Sequence, residues 1–282
     1  MIIPRFLVLG LLTATVFASP SVMAADSAPA PIPYRGMSLD DSAKLNAALN
    51  KLMVADDPSV KDILAANPTF SVVKGNSALI PAPFNPARHD ANVAIAKKGD
   101  IDLLFAGDSI TDWWVTNGKV AFAKFFGGIK VADFAIAGDT TQGVLYRLQN
   151  GEGQGFQPKA IMLMIGTNNI GRNTAGEIAD GVIADLNEMQ KDFPNAKILL
   201  LGVFPRGLPT DPNRVTIAGI NAIISKLDDG KHIFYMDIGS KFLGADGAFL
   251  PNTFLADNLH PQEAGYEIWG DAVKDKLAEL MK

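Results

Sequence analysis

The 282-residue chain has no cysteine. This excludes disulfides, a thiolate nucleophile, and zinc or iron–sulfur sites ligated by Cys. Only three histidines are present, His89, His232 and His260, which leaves little room for a metal centre built on several of them. Positive charge is in deficit: 25 Lys and Arg face 30 Asp and Glu, a net charge of −5. Nucleic acid is therefore a poor candidate partner, because phosphate binding calls for clustered cations. A Gly-x-Gly-x-x-Gly turn ahead of the first sheet helix is also missing, which weakens a dinucleotide-binding reading. No cofactor and no metal is expected.

Long apolar runs are equally scarce. One lies at the start, where Arg5 precedes Phe6–Phe17, a stretch short of the ~20 residues that a membrane span needs. Ser19, Pro20 and Ser21 break it, and Val22-Met23-Ala24 places small or apolar residues where a signal peptidase cuts. Residues 1–24 read as a secretion signal cleaved after Ala24. The mature chain is expected to be secreted or periplasmic, without stable membrane insertion.

Residues 25–37 are rich in Ala and Pro and read as a flexible leader. A helical extension and connection follows over 38–100. Ser38 is placed as an N-cap with Asp41 in the first turn, and Leu45, Leu49, Leu52 and Met53 recur at helical spacing. A second short helix is expected after Asp57-Pro58, ending at Asn67-Pro68.

From Ile101 to the C-terminus, apolar strands alternate with helices. Strands are expected over 101–106, 131–137, 160–165, 198–203 and 233–237. Helices are expected over 110–126, 140–150, 174–193 and 211–227. A closing helix should run over 261–281, with Pro261 in its first turn. Strands apolar along their whole length, each followed by a helix, imply a parallel sheet covered on both faces. Ligands in such sheets bind beyond the carboxyl ends of the strands.

Four of those strand ends carry chemistry. Gly107-Asp108-Ser109 puts a hydroxyl on a strand-to-helix turn. Gly138 and Asn168 follow the next two strands, and Asp257-Asn258-Leu259-His260 precedes the last helix. Taken singly, each has a plainer role: an N-cap serine, a turn glycine, an Asx turn, a surface histidine. Together they provide a nucleophile, a base with a carboxylate able to hold its Nδ1–H, and donors for a developing oxyanion. His89 and His232 read as bystanders.

These blocks, with Gly166-Thr167-Asn168-Asn169 as the third, resemble the signature blocks of the SGNH hydrolases, also called GDSL esterases and lipases. Gly138-Asp139-Thr140-Thr141, Leu145-Tyr146-Arg147 and Pro205-Arg206-Gly207 look like the platelet-activating-factor acetylhydrolase-like branch. Many family members carry Asp where Asn169 stands. The resemblance implies a flavodoxin-like three-layer α/β/α sandwich on a five-stranded parallel sheet, with the N-terminal helical extension outside it. It implies Ser109 as nucleophile, His260 as base and Asp257 as its orienter. The oxyanion hole would be formed by Ser109 N–H, Gly138 N–H and the Asn168 amide. Asp108, Trp113, Trp114, Asn169 and Arg206 are expected to contact substrate, although the two tryptophans read equally well as core-facing helix residues.

The function expected is a secreted serine esterase acting on short-chain, acetyl esters of carbohydrates, with a small-molecule or polysaccharide ester as partner. The alternatives are a lipase or lysophospholipase for longer acyl chains, and a ligand-binding domain without turnover. The oligomeric state is not legible.

Overall fold

The computed structural model describes residues 29–35, 38–41, 44 and 76–282. The signal segment with Ala24, and the helical positions from Leu45 to Asn67, lie outside these.

The sheet comprises β1 (Leu103–Gly107), β2 (Val131–Asp133), β3 (Ala160–Met164), β4 (Lys197–Leu201) and β5 (Ile233–Met236), in the order β2-β1-β3-β4-β5. Every pairing is parallel, with Leu104 opposite Ile161 and Ile161 opposite Ile198. Alternation along the strands divides the core into two layers. Leu104, Ile161, Leu163, Ile198 and Leu200 face one side. There they meet Ile178, Val182, Leu186 and Met189 of a long helix and Ile217, Ile220 and Ile224 of the next. Leu103, Phe105, Met162, Met164, Leu199 and Leu201 face the other side and pack on Trp114, Phe126, Tyr266, Trp269 and Val273. Each such side chain contributes about 1.5–3 kcal/mol on burial.

The helices are α1 (Pro86–Ala96), α2 (Ser109–Asp112), α3 (Lys119–Phe126), α4 (Thr141–Arg147), α5 (Ala175–Asp192), α6 (Asn213–Ile224) and α7 (Glu263–Leu280). Thr174 and Glu177 form a reciprocal capping box at the start of α5. Among the described residues, no helix is long and apolar enough to cross a membrane.

Several expectations need correction. The helix expected over 110–126 is broken: α2 passes into a 3-10 turn over Trp113–Val115, and α3 starts afresh at Lys119 with Gly118 as its cap residue. A Cβ on Gly118 would stand 2.4 Å from the Tyr266 ring, so the break also admits α7. Regular strand β2 stops at Asp133 and not at Ala137, because the Ala135 N–H turns to the Asp133 carboxylate; the Phe134 and Ile136 amides still donate to Phe105 C=O (2.9 Å) and Gly107 C=O (3.2 Å) of β1, so the chain follows β1 to Ile136. Helix α7 starts at Glu263. Pro261 lies outside its first turn, in an isolated bridge with Phe254. Helix α1 was not anticipated, although Asn85-Pro86 is a readable start: Asn85 caps it and Pro86 is its first residue.

The Ala- and Pro-rich leader is also not free along its length. Over residues 29–35 it runs antiparallel to α5. Ile32 N–H donates to Asn187 Oδ1 (2.7 Å), Asn187 Nδ2 donates back to Ile32 C=O (3.0 Å), and Arg35 N–H reaches Asp180 Oδ1 (3.2 Å). Beyond it, Asp41 N–H donates to Ser38 Oγ (3.1 Å), as the cap reading expects.

Candidate active site

Strand β1 ends at Gly107, where a Cβ would stand 2.4 Å from the Met164 carbonyl of neighbouring β3; no larger residue fits. Asp108 then caps α2, its Oδ1 accepting the Ile110 N–H at 3.0 Å. Ser109 opens the helix. Its amide lies at a helix N-terminus, where negative charge is favoured.

His260 reaches the same point from the loop before α7. Its backbone is fixed on both sides: His260 C=O accepts Leu255 N–H (2.8 Å), and His260 N–H donates to Asp257 Oδ1 (3.1 Å). Nδ1 lies 2.7 Å from Asp257 Oδ2. With Nδ1–H donated to that carboxylate, Nε2 is left to accept from Ser109 Oγ–H at 2.8 Å. Burial works to raise the Asp257 pKa. The hydrogen bonds from His260 and from the Leu259 amide outweigh it, and the carboxyl sits below its ordinary value. Asp257 is thus held as the anion that an imidazolium needs beside it.

Gly138 lies in the loop after β2, the strand beside β1, whose end carries Ser109. Its φ is +87°, a conformation that favours glycine. Among the described residues, neither its N–H nor that of Ser109 donates to another group. The loop is fixed from beneath. Arg147, 2% exposed, donates through Nε to Asp139 Oδ2 (2.9 Å) and through Nη1 to Phe134 C=O (2.9 Å) and Glu152. Glu152 in turn pairs with His89 Nδ1 at 2.9 Å. His89 is therefore a structural partner of the loop.

Asn168 and Asn169 share a 3-10 turn, Thr167–Asn169, but diverge. Asn168 Nδ2 donates one hydrogen to Asp139 C=O (2.8 Å), leaving the second free to donate elsewhere. Asn169 is fully buried. Its Oδ1 accepts Thr141 N–H (3.1 Å), and its Nδ2 reaches Thr141 Oγ1 (3.2 Å) and Gln142 Oε1 (2.9 Å). Asn169 ties two strand-end loops together and has no face for substrate.

Two more expected substrate contacts lie elsewhere. Asp108 is fully buried. Burial pushes its pKa up to about 7, against the opposing Ile110 hydrogen bond and the Arg206 charge, and among the described residues its Oδ2 has no partner. Trp114 is also fully buried, within the aromatic cluster of Phe105, Phe126, Tyr266 and Trp269. Trp113 turns the other way and stacks on His260. Arg206 is half-buried and donates through Nη1 to Thr167 C=O (3.2 Å), bracing the Asn168 turn.

Phe84 and Arg88 also belong to the neighbourhood, although neither stands at a strand end or in a motif of the sequence. A Cβ on Gly138 would stand 3.3 Å from Phe84 Cζ. Arg88 pairs with Asp112 on α2.

Comparison with known proteins gives the same picture. Residues 105–268 match the GDSL-like lipase/acylhydrolase family. Platelet-activating factor acetylhydrolase IB subunit alpha2 of Rattus norvegicus is 34% identical over 181 residues, covering 64% of this chain and 77% of its own. A solved structure described as an acylhydrolase of Bacteroides fragilis superposes with a TM-score of 0.59 at 20% identity, over 70% of this chain and 98% of that one. An acetyl-xylooligosaccharide esterase from Geobacillus superposes with a TM-score of 0.50 at 20% identity, over 64% and 94%. The two structural likenesses speak to the fold. The family match spans more than half of the sequence, and the chain belongs to the GDSL-like lipase/acylhydrolase family of carboxylic ester hydrolases.

Proposed function

We propose that the protein is a serine esterase that removes short acyl groups, acetyl above all, from carbohydrate esters, through an acyl-enzyme on Ser109. The observation that carries this reading is the unbroken hydrogen-bond chain Ser109–His260–Asp257. In it, Ser109 Oγ attacks the ester carbonyl while Nε2 of His260 takes the hydroxyl proton. Asp257 faces the imidazolium so formed. The negative oxygen of the tetrahedral intermediate is received by Ser109 N–H, Gly138 N–H and the second Asn168 amide hydrogen. His260 then returns its proton to the departing alcohol oxygen, and the acyl group stays on Ser109. Water, deprotonated by the same nitrogen, attacks the acyl-enzyme; collapse of the second intermediate frees the acid and restores the serine.

Three observations support the acyl and alcohol parts. The Rattus norvegicus relative is named an acetylhydrolase, and a protein of the same fold is named for acetyl-xylooligosaccharides. Trp113, partly exposed beside His260, offers an indole to a sugar ring. The signal segment ending at Ala24 would place the enzyme where polysaccharides are met.

The second reading is a lipase for longer chains, which the family description itself admits. Chain length separates the two, since each methylene buried in a groove gains about 0.8 kcal/mol. Hydrolysis of matched esters from acetate to laurate, with acetate release from acetylated xylan, is the test. Efficiency falling from acetate to octanoate, together with acetate release, is expected. A rise toward octanoate with no acetate released from any glycan rejects the acetyl reading. In the same assay Ser109→Ala should lose ~10³-fold or more in rate with an unchanged melting temperature.

A further inference from the structure

The family match begins at residue 105, so helix α1 and its approach lie outside it. Yet Arg88 of α1 reaches into the space between the two loops that flank the serine. Its Nη2 donates to Asp112 Oδ1 (2.8 Å) and to Ala135 C=O (3.1 Å), and its Nη1 faces Asp112 Oδ2 at 3.4 Å. Asp112 Oδ2 also accepts the Ala137 N–H at 3.0 Å. One guanidinium and one carboxylate therefore join three elements: α1, the helix that Ser109 opens, and the loop after β2.

The neighbours of these contacts give them meaning. Ala137 immediately precedes Gly138, so the Asp112 carboxylate fixes the peptide ahead of the proposed oxyanion donor. Asp112 immediately precedes Trp113, whose indole stacks on His260. Asp112 is 8% exposed, and a carboxylate buried that far is costly without a cation. Arg88 is the cation paired with it. The hydrogen bond to Asp112 is also the first reason that the Arg88 pKa lies above its ordinary value. A planar fork is required, because a single guanidinium spans both the carboxylate and the Ala135 carbonyl.

We infer that Arg88 is a positioning residue for ester hydrolysis: acting through Asp112, it sets Gly138 against Ser109 and holds Trp113 against His260. This rests on the Ser109 mechanism proposed above, in so far as Gly138 N–H receives the oxyanion. On an aryl acetate, which carries no sugar ring for Trp113 to receive, a fault here misplaces the hole and the base, so it should appear in kcat.

The experiment measures kcat, KM and melting temperature on an aryl acetate for the full-length wild type, Arg88→Met, Arg88→Lys, Asp112→Asn and the Arg88→Met/Asp112→Asn double variant, with Ser109→Ala alongside. Misplacement of a catalytic group by about 1 Å costs up to ~10²-fold. Arg88→Met is therefore expected to lower kcat ~10- to 10²-fold with KM within about twofold. Arg88→Lys keeps the charge and loses the fork, and its kcat should fall between that of Arg88→Met and the wild type. The double variant, with no carboxylate left to neutralise, should lose much less than the product of the two single losses. Wild-type kcat in a folded Arg88→Met, a rise in KM at constant kcat, or fully additive losses in the double variant would each overturn the assignment. If Arg88→Met does not fold, Arg88→Lys decides: kcat equal to the wild type overturns the proposal. Loss of activity in Ser109→Ala with none in the Arg88 variants condemns this inference alone; full activity in Ser109→Ala condemns the mechanism beneath it.

Discussion

The indole of Trp113 stacks on the imidazole of His260, with ring centroids 4.1 Å apart and planes inclined by 27°. A flat apolar surface against one face holds the plane of the imidazole, while the bond from Nδ1 to Asp257 points Nε2 at Ser109. Aromatic pairs of this kind contribute about 0.5–1.5 kcal/mol beyond their area. Trp113→Ala should therefore cut kcat roughly 2- to 10-fold, and Trp113→Phe should keep most of it. Equal losses in the two variants, read from initial rates on one ester, would show that the stacking face is not what matters.

Asn168 already donates one amide hydrogen to Asp139 C=O, which fixes the side chain with its second hydrogen uncommitted. Loss of one donor to an oxyanion typically costs ~10²–10³ in turnover, about 2.7–4 kcal/mol. Asn168→Ala should show that fall in kcat. A change confined to KM would make it a ground-state contact.

Phe84 borders Gly138 closely enough to act as a wall for the acyl group. Phe84→Ala should open that side and move the optimum of the acyl series toward longer chains, with butyrate gaining on acetate. An unchanged acetate-to-butyrate ratio in a folded variant would place the wall elsewhere.

Asp108 gives a pH signature in stability and not in chemistry. Its folded pKa of about 7 lies above the ordinary 3.8, chiefly through burial. Between those values the folded state keeps a proton that the unfolded chain releases, so the contribution of Asp108 to stability falls as pH rises and levels off above about 7. Asparagine keeps the cap acceptor and has no proton to lose. The melting temperature of Asp108→Asn should improve relative to wild type as pH rises from about 4 to 7. A constant difference across that window would show that Asp108 titrates alike in both states.

The strands were legible because each is a short, continuous apolar run. The Ser109, Asp257 and His260 constellation was legible because its members stand at strand ends in a recognisable order. What escaped was direction. Trp113 and Trp114 are adjacent, as are Asn168 and Asn169, and in each pair one member turns to the site and the other into the interior. Short 3-10 turns carry both pairs, so no long helical or strand period announces the inner face. Arg88 escaped for a different reason: its partners lie 24 and 47 positions along the chain, and local spacing says nothing about contacts at that range.

The tie between Asn169 and Thr141 has a consequence for descent. Thr141 N–H and Asn169 Oδ1, Asn169 Nδ2 and Thr141 Oγ1 satisfy one another in the interior, and Thr141 Oγ1 passes its own hydrogen to Ala78 C=O. Replacing either residue alone strands a buried polar group, at a cost of about 1–3 kcal/mol. Single-step drift at these two positions is therefore penalised, and lineages that change one should change the other with it. Trp113, partly open to solvent, strands no buried polar partner among the described residues when it changes, and its replacement acts on kcat through the His260 stack. Diversification toward new alcohols can begin there while the Thr141–Asn169 pair stays in place.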